Sequence, residues 1–286
     1  MYRAIAAIVM SAAVIIPVAP APAAAAGVTV APGGFIRDIV ACPTGKVAVA
    51  GGAAVVGEGS RDFRTVLEES SSGGSFWLVA IRNNDTVSHN IAIYAVCIPV
   101  PFGYFVARKD FVLNPGAFHE TFALCPEGTV VFGGGPTVVG EGSREFGTII
   151  RQTAPDSVLD GTLQLWRAAV LNFSPTPHTI ALIAVCGNAP AGYEKVRRDV
   201  PVAANGVLRS TVLCSAGKVV LGGGAIALAF ETGAQQTIVQ ESAPGTLSGR
   251  PLWATTLRNG STAQNVALVA RCSNAPTGYQ VVFRTF

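Results

Sequence analysis

Six cysteines stand in two alternating sequence contexts, and no other feature limits the possible folds as much. Cys42, Cys125 and Cys214 each have a glycine three positions later, at Gly45, Gly128 and Gly217. A glycine cluster follows each: Gly51-Gly52, Gly133-Gly134-Gly135 and Gly222-Gly223-Gly224. Cys97, Cys186 and Cys272 each close an apolar run and lead to Gly-Tyr, at Gly103-Tyr104, Gly192-Tyr193 and Gly278-Tyr279. Between the two kinds stands one tryptophan, Trp77, Trp166 or Trp253, with asparagine six residues on, at Asn83, Asn172 and Asn259. Every tryptophan of the chain occupies this slot. Triplication of one module accounts for the agreement.

Within the repeat the apolar residues alternate. Trp77, Val79 and Ile81 share one face, as do Trp166, Ala168, Val170 and Trp253, Thr255, Leu257. Before each second cysteine the same period recurs, as in Ile91, Ile93, Ala95, Cys97. A period of two marks half-buried strands. The asparagine lies in the turn between them, so the pair reads as a hairpin. The glycine clusters read as places where a strand bends or two backbones approach. No lysine at phosphate-loop spacing and no helical pattern follows them, which argues against phosphate binding.

The start of the chain reads as an export signal over residues 1–26: Arg3, an apolar run from Ala4 to Val18, then small residues up to Ala26. The run is short for a spanning helix and holds Pro17. The expected mature chain has 286 − 26 = 260 residues, with 19 basic against 17 acidic side chains once Arg3 is removed. That balance argues against electrostatic capture of nucleic acid or anionic membrane. With 32 glycines and 18 prolines, a half-apolar chain lacking helical periodicity reads as all-β.

Six cysteines in an exported chain are expected to form disulfides. Two pairings respect the repeat. Pairing within copies gives Cys42–Cys97, Cys125–Cys186 and Cys214–Cys272. Pairing between copies gives Cys97–Cys125, Cys186–Cys214 and Cys272–Cys42. The first is favoured because each copy then carries its own staple. No CxxC and no Cys/His cluster suggests a metal, and no cofactor is expected.

The run Gly103-Tyr104, Asn114-Pro-Gly-Ala-Phe118, Cys125-Pro-Glu-Gly128, Gly133-Gly-Gly135, Trp166, Asn172, Ile183-Ala-Val-Cys186 resembles a module of secreted bacterial proteins of unassigned function. In that family a copy often follows a collagen-like stalk. The resemblance covers the expected mature chain three times; copy 3 departs with Cys214-Ser-Ala-Gly217, and copy 1 has no Gly-Tyr start. It implies module 1 over residues 27–102, module 2 over 103–191 and module 3 over 192–277. Residues 278–286 are then a strand without a module, and the first module lacks that strand. The expectation is that the last segment completes module 1. The fold class expected is all-β: three tandem disulfide-stapled antiparallel modules, closed with pseudo-threefold symmetry. In architecture alone this is similar to the β-prisms of vitelline-membrane outer-layer proteins and some lectins.

Copies 1 and 2 share a polar segment, Gly57-Glu-Gly-Ser-Arg61-Asp-Phe63 and Gly140-Glu-Gly-Ser-Arg144-Glu-Phe146, which copy 3 lacks. Glu58, Arg61, Asp62, Glu141, Arg144 and Glu145 are the candidate ligand-binding residues, able to form charge-assisted hydrogen bonds to a sugar or a cation. A solvated ion pair is the plainer account. His89 and His178 share one slot, in which Asn265 is taken as the copy 3 equivalent. No nucleophile or metalloprotease motif is present, and no catalytic residue is assigned. The tryptophans read as core rather than as sugar platforms. Asn84, Asn172 and Asn259 each begin an Asn-x-Ser/Thr pattern, read as turn chemistry. The expected function is a secreted, non-catalytic structural or adhesion protein acting on an extracellular glycan or cell-surface component, monomeric by internal symmetry. A lectin-like carbohydrate binder is the alternative, and a glycoside hydrolase with paired carboxylates a remote one.

Overall fold

The computed structural model describes residues 28–57, 62–141, 145–158, 161–228 and 236–284. The proposed export signal at 1–26 lies outside them. Among the described residues every regular element is a β-strand. Copy 1 holds β1 (Val28–Val30), β2 (Phe35–Ala41), β3 (Lys46–Val55), β4 (Thr65–Ser72), β5 (Phe76–Asn83) and β6 (His89–Pro99). Copy 2 holds β7 (Phe105–Leu113), β8 (Phe118–Leu124), β9 (Val130–Val138), β10 (Thr148–Val158), β11 (Leu163–Asn172) and β12 (His178–Gly187). Copy 3 holds β13 (Glu194–Val202), β14 (Val207–Leu213), β15 (Lys218–Ala227), β16 (Ile238–Leu247), β17 (Arg250–Arg258) and β18 (Gln264–Asn274), and β19 (Gln280–Arg284) follows.

All pairing is antiparallel, and one pattern recurs. The tryptophan strand takes its neighbours on both edges, giving β2-β5-β4, β8-β11-β10 and β14-β17-β16. The second-cysteine strand does the same, giving β7-β12-β9 and β13-β18-β15. In copy 1, β6 pairs with β3 on one edge. Its other edge is shared: β19 lies opposite Ile93 to Cys97, and β1 opposite His89 to Ile91. In copies 2 and 3 that edge is a single strand, β7 or β13. Copy 1 therefore does not lack the strand outright; three of its residues come from β1.

The two sheets of each copy face one another across a buried tryptophan. A Cβ added at Gly51, Gly134 or Gly223 would sit 2.4, 2.6 or 2.5 Å from Cγ of Trp77, Trp166 or Trp253. Only glycine lets the indole lie on the strand. Each indole Nε1 donates to a hydroxyl on the preceding, paired strand, Ser70, Thr153 or Ser242. The disulfides Cys42–Cys97, Cys125–Cys186 and Cys214–Cys272 pin the same two sheets, all within copies.

Copies meet at the following glycine. A Cβ at Gly52 would stand 1.7 Å from Ser242 O, at Gly135 1.8 Å from Ser70 O, and at Gly224 1.9 Å from Thr153 O. Backbone from copy 3 thus rests on copy 1, from copy 1 on copy 2, and from copy 2 on copy 3. Two of these contacts are ladder pairs, β16 with β3 and β10 with β15. Among the described residues no sheet closes on itself: the longest paths are β1-β6-β3-β16-β17-β14 and β13-β18-β15-β10-β11-β8.

Candidate functional site

At each junction a buried side chain from the same structural position reaches into the neighbouring copy. Glu69 Oε1 accepts the Val138 N–H at 2.5 Å and the Thr137 hydroxyl at 2.8 Å. Glu241 Oε1 accepts the Val55 N–H at 2.5 Å, and Gln152 Oε1 accepts the Ala227 N–H at 3.1 Å. The two carboxylates have arginine partners on the strand at the other edge of the tryptophan strand in their own copy: Arg37 Nε at 2.6 Å from Glu69 and Arg209 Nε at 3.6 Å from Glu241. Copy 2 inverts the arrangement. Glu120 replaces the arginine, accepts from Gln152 Nε2 at 2.8 Å, and takes its cation from Arg167 at 3.0 Å. A buried charge needs a partner, and copy 2 meets the same hydrogen bond with a neutral amide.

The junction of copies 1 and 2 also forms a half-open pocket of about 550 Å³. Glu68, Arg82 and Glu145 form its charged wall. Arg82 Nε lies 3.1 Å from Glu68 Oε1, and its other end pairs with Glu145. Glu68 Oε2 also accepts the Phe146 N–H at 3.2 Å. Burial raises the pKa of Glu68, opposed by Arg82 and by the backbone donors of Phe146 and Gly147. Across the pocket lie Asn84, Ser174 and Thr176, with Phe173 at the rim, 64% exposed.

Of the candidate ligand residues, Glu58, Arg61 and Arg144 lie outside the described residues. The other three do not form one site. Glu141 and Glu145 belong to the junction of copies 1 and 2. Glu141 meets His178 Nδ1, and its carbonyl accepts from Arg37. Asp62 sits at the junction of copies 3 and 1, accepting from Gln240 Nε2 at 2.6 Å and pairing with Arg258 at 3.3 Å. Arg258–Asp62 and Arg82–Glu145 are the same tie at successive junctions.

Both shared-slot histidines are buried. His178 Nε2 lies 2.7 Å from Ser174 Oγ, and His89 Nε2 lies 3.0 Å from Asp85. Each stacks edge-on against Phe146 or Phe63. The strand register corrects the copy 3 equivalent: Val30 faces His89, Leu113 faces His178, and Val202 faces Gln264. Gln264, not Asn265, fills the slot, and it donates to Asn259. The turn after Asn259 is one residue shorter than those after Asn83 and Asn172.

The asparagines after each tryptophan are buried strand ends rather than open turns. Asn172 Nδ2 donates to Leu113 O at 2.9 Å and to Thr176 O at 2.8 Å, and Asn83 and Asn259 make the matching pairs. Asn172 and Asn259 therefore have no free amide to offer a glycan, whereas Asn84 is exposed.

Sequence reasoning passed over Glu68, Arg82 and Phe173. Two adjacent acids, Glu68 and Glu69, inside an otherwise uncharged strand were the available signal, since strands bury charge only where a partner waits. Among the described residues no helix is long and apolar enough to cross a membrane. Three disulfides are consistent with an extracellular protein. No protein-family model matches the chain, and no curated protein matches it.

Proposed function

We propose that the protein is a secreted, non-catalytic structural or adhesion scaffold in which three copies of one module close around a pseudo-threefold axis, β-prism-like, within a single chain. The cyclic contacts at Gly52, Gly135 and Gly224 and the pairing of β19 with β6 support the closed arrangement. The observation that carries the non-catalytic reading is the junction wall. Arg82 bridges Glu68 and Glu145, so the two nearest carboxylates neutralise one cation rather than stand free as acid and base.

A lectin-like reading is favoured by one feature, Phe173 at the rim beside Asn84, Ser174 and Thr176. An exposed ring with amide and hydroxyl groups beside it matches the apolar face and hydroxyls of a neutral sugar. A glycan array on the mature chain separates the readings. Binding that is lost in Phe173→Ala, and in Arg61→Ala with Arg144→Ala, supports the lectin reading. Silence across the array leaves the scaffold.

A further inference from the structure

Copy 3 lacks the shared polar loop, yet it carries a pair of cations found in neither other copy. Lys195 on β13 and Arg271 on β18 face each other across the strand pair. The equivalent positions are Val281 opposite Val96 in copy 1 and Val106 opposite Val185 in copy 2. The fold therefore needs no charge there.

Arg271 is 3% exposed, and its Nε has no hydrogen-bond partner among the described residues. A buried guanidinium with a donor left unmet is unfavourable, and an added counter-charge would relieve it. Lys195, on the exposed edge strand, makes only a long 3.5 Å contact to Gly161 O. Among the described residues the acid that acts on both cations is Asp156, and it is shared with Arg167 at 3.1 Å. Burial pulls both cations below their ordinary pKa and Arg271 lowers Lys195 further, with Asp156 opposing the shift at both.

We propose that Arg271 and Lys195 form a binding site for one oxyanion group, a sulfate, phosphate or carboxylate. Arg271 supplies the planar donor fork from below, and Lys195 supplies a mobile point charge from the rim. The site is independent of the junction pocket and of any sugar bound there.

The test is thermal unfolding of the mature chain in sodium sulfate and sodium phosphate against sodium chloride of equal ionic strength. Wild type and Arg271→Val with Lys195→Val, which restores the apolar pair of the other copies, are compared. The wild type should gain melting temperature from sulfate or phosphate beyond the general salting effect that the variant also shows. Retention on immobilised polygalacturonate, competed by phosphate, would assign the group to a polymer; response to the inorganic ions alone would assign a free anion. Lys195→Gln, on the exposed edge, keeps the comparison open if the double variant does not fold. Equal responses of wild type and variants, with equal retention on the polymer, would overturn the proposal.

Discussion

Val282, in the last strand, lies directly opposite Ala95 in the second-cysteine strand of copy 1. The same register puts Ala107 opposite Ala184 and Val196 opposite Ala270, where each edge strand follows its own Gly-Tyr. The C-terminal strand thus does for copy 1 what β7 and β13 do for copies 2 and 3. Arg284 reinforces it through a 2.6 Å contact with Asp38 on β2.

The junction carboxylates should be costly to strip of their partners. Arg37→Ala leaves Glu69 charged, buried and half satisfied, and is expected to destabilise by about 3–5 kcal/mol. Glu69→Gln should cost less, because Gln152 makes the equivalent bond as an amide. The double variant Arg37→Ala with Glu69→Gln should be more stable than Arg37→Ala alone. Urea unfolding of the four proteins checks the order, and a harmless Arg37→Ala would refute it.

Gly134→Ala places a methyl 2.3 Å from Ile183 O and 2.6 Å from Trp166 Cγ. Neither a backbone carbonyl nor a packed indole can withdraw cheaply, so the loss should reach roughly 3 kcal/mol, the upper end for overpacking. Tryptophan fluorescence should shift toward that of a solvated indole. Gly45→Ala, with nothing near its missing Cβ, controls for strain alone, since its φ is +81°.

Burial pushes the Tyr193 phenol up to about 12, and raises Tyr94, Tyr104 and Tyr279 as well. The folded protein keeps protons that the unfolded chain releases near pH ~10. Stability from these groups is therefore complete below about pH 10 and is lost as pH rises toward the folded values. Tyrosinate absorbance should appear together with alkaline unfolding. A titration complete near pH 10 in the folded protein would contradict it.

Much of this was legible because it repeats. Alternation places Trp77, Ile93 and their counterparts on buried faces; the cysteine contexts leave two pairings, and a staple within each copy favours the one observed. The junctions were not legible. Glu69, Gln152 and Glu241 occupy one structural position but differ in charge, and their partners sit in another copy. In sequence the candidate loop reads as a ligand surface or a solvated ion pair within one copy. Asp62 and Glu145 instead pair with Arg258 and Arg82 of a neighbouring copy, a relation set by how copies stack.

The most direct measurement is hydrogen exchange and melting of a chain lacking residues 279–286. It removes the five pairs of β19 with β6, the Tyr279 hydroxyl bond to Val220 O and the Arg284–Asp38 contact. The predicted result is a lower melting temperature, with protection lost along Ile93 to Cys97 and retained along β12. An unchanged melting temperature with β6 still protected would contradict completion of copy 1 by the C-terminal strand.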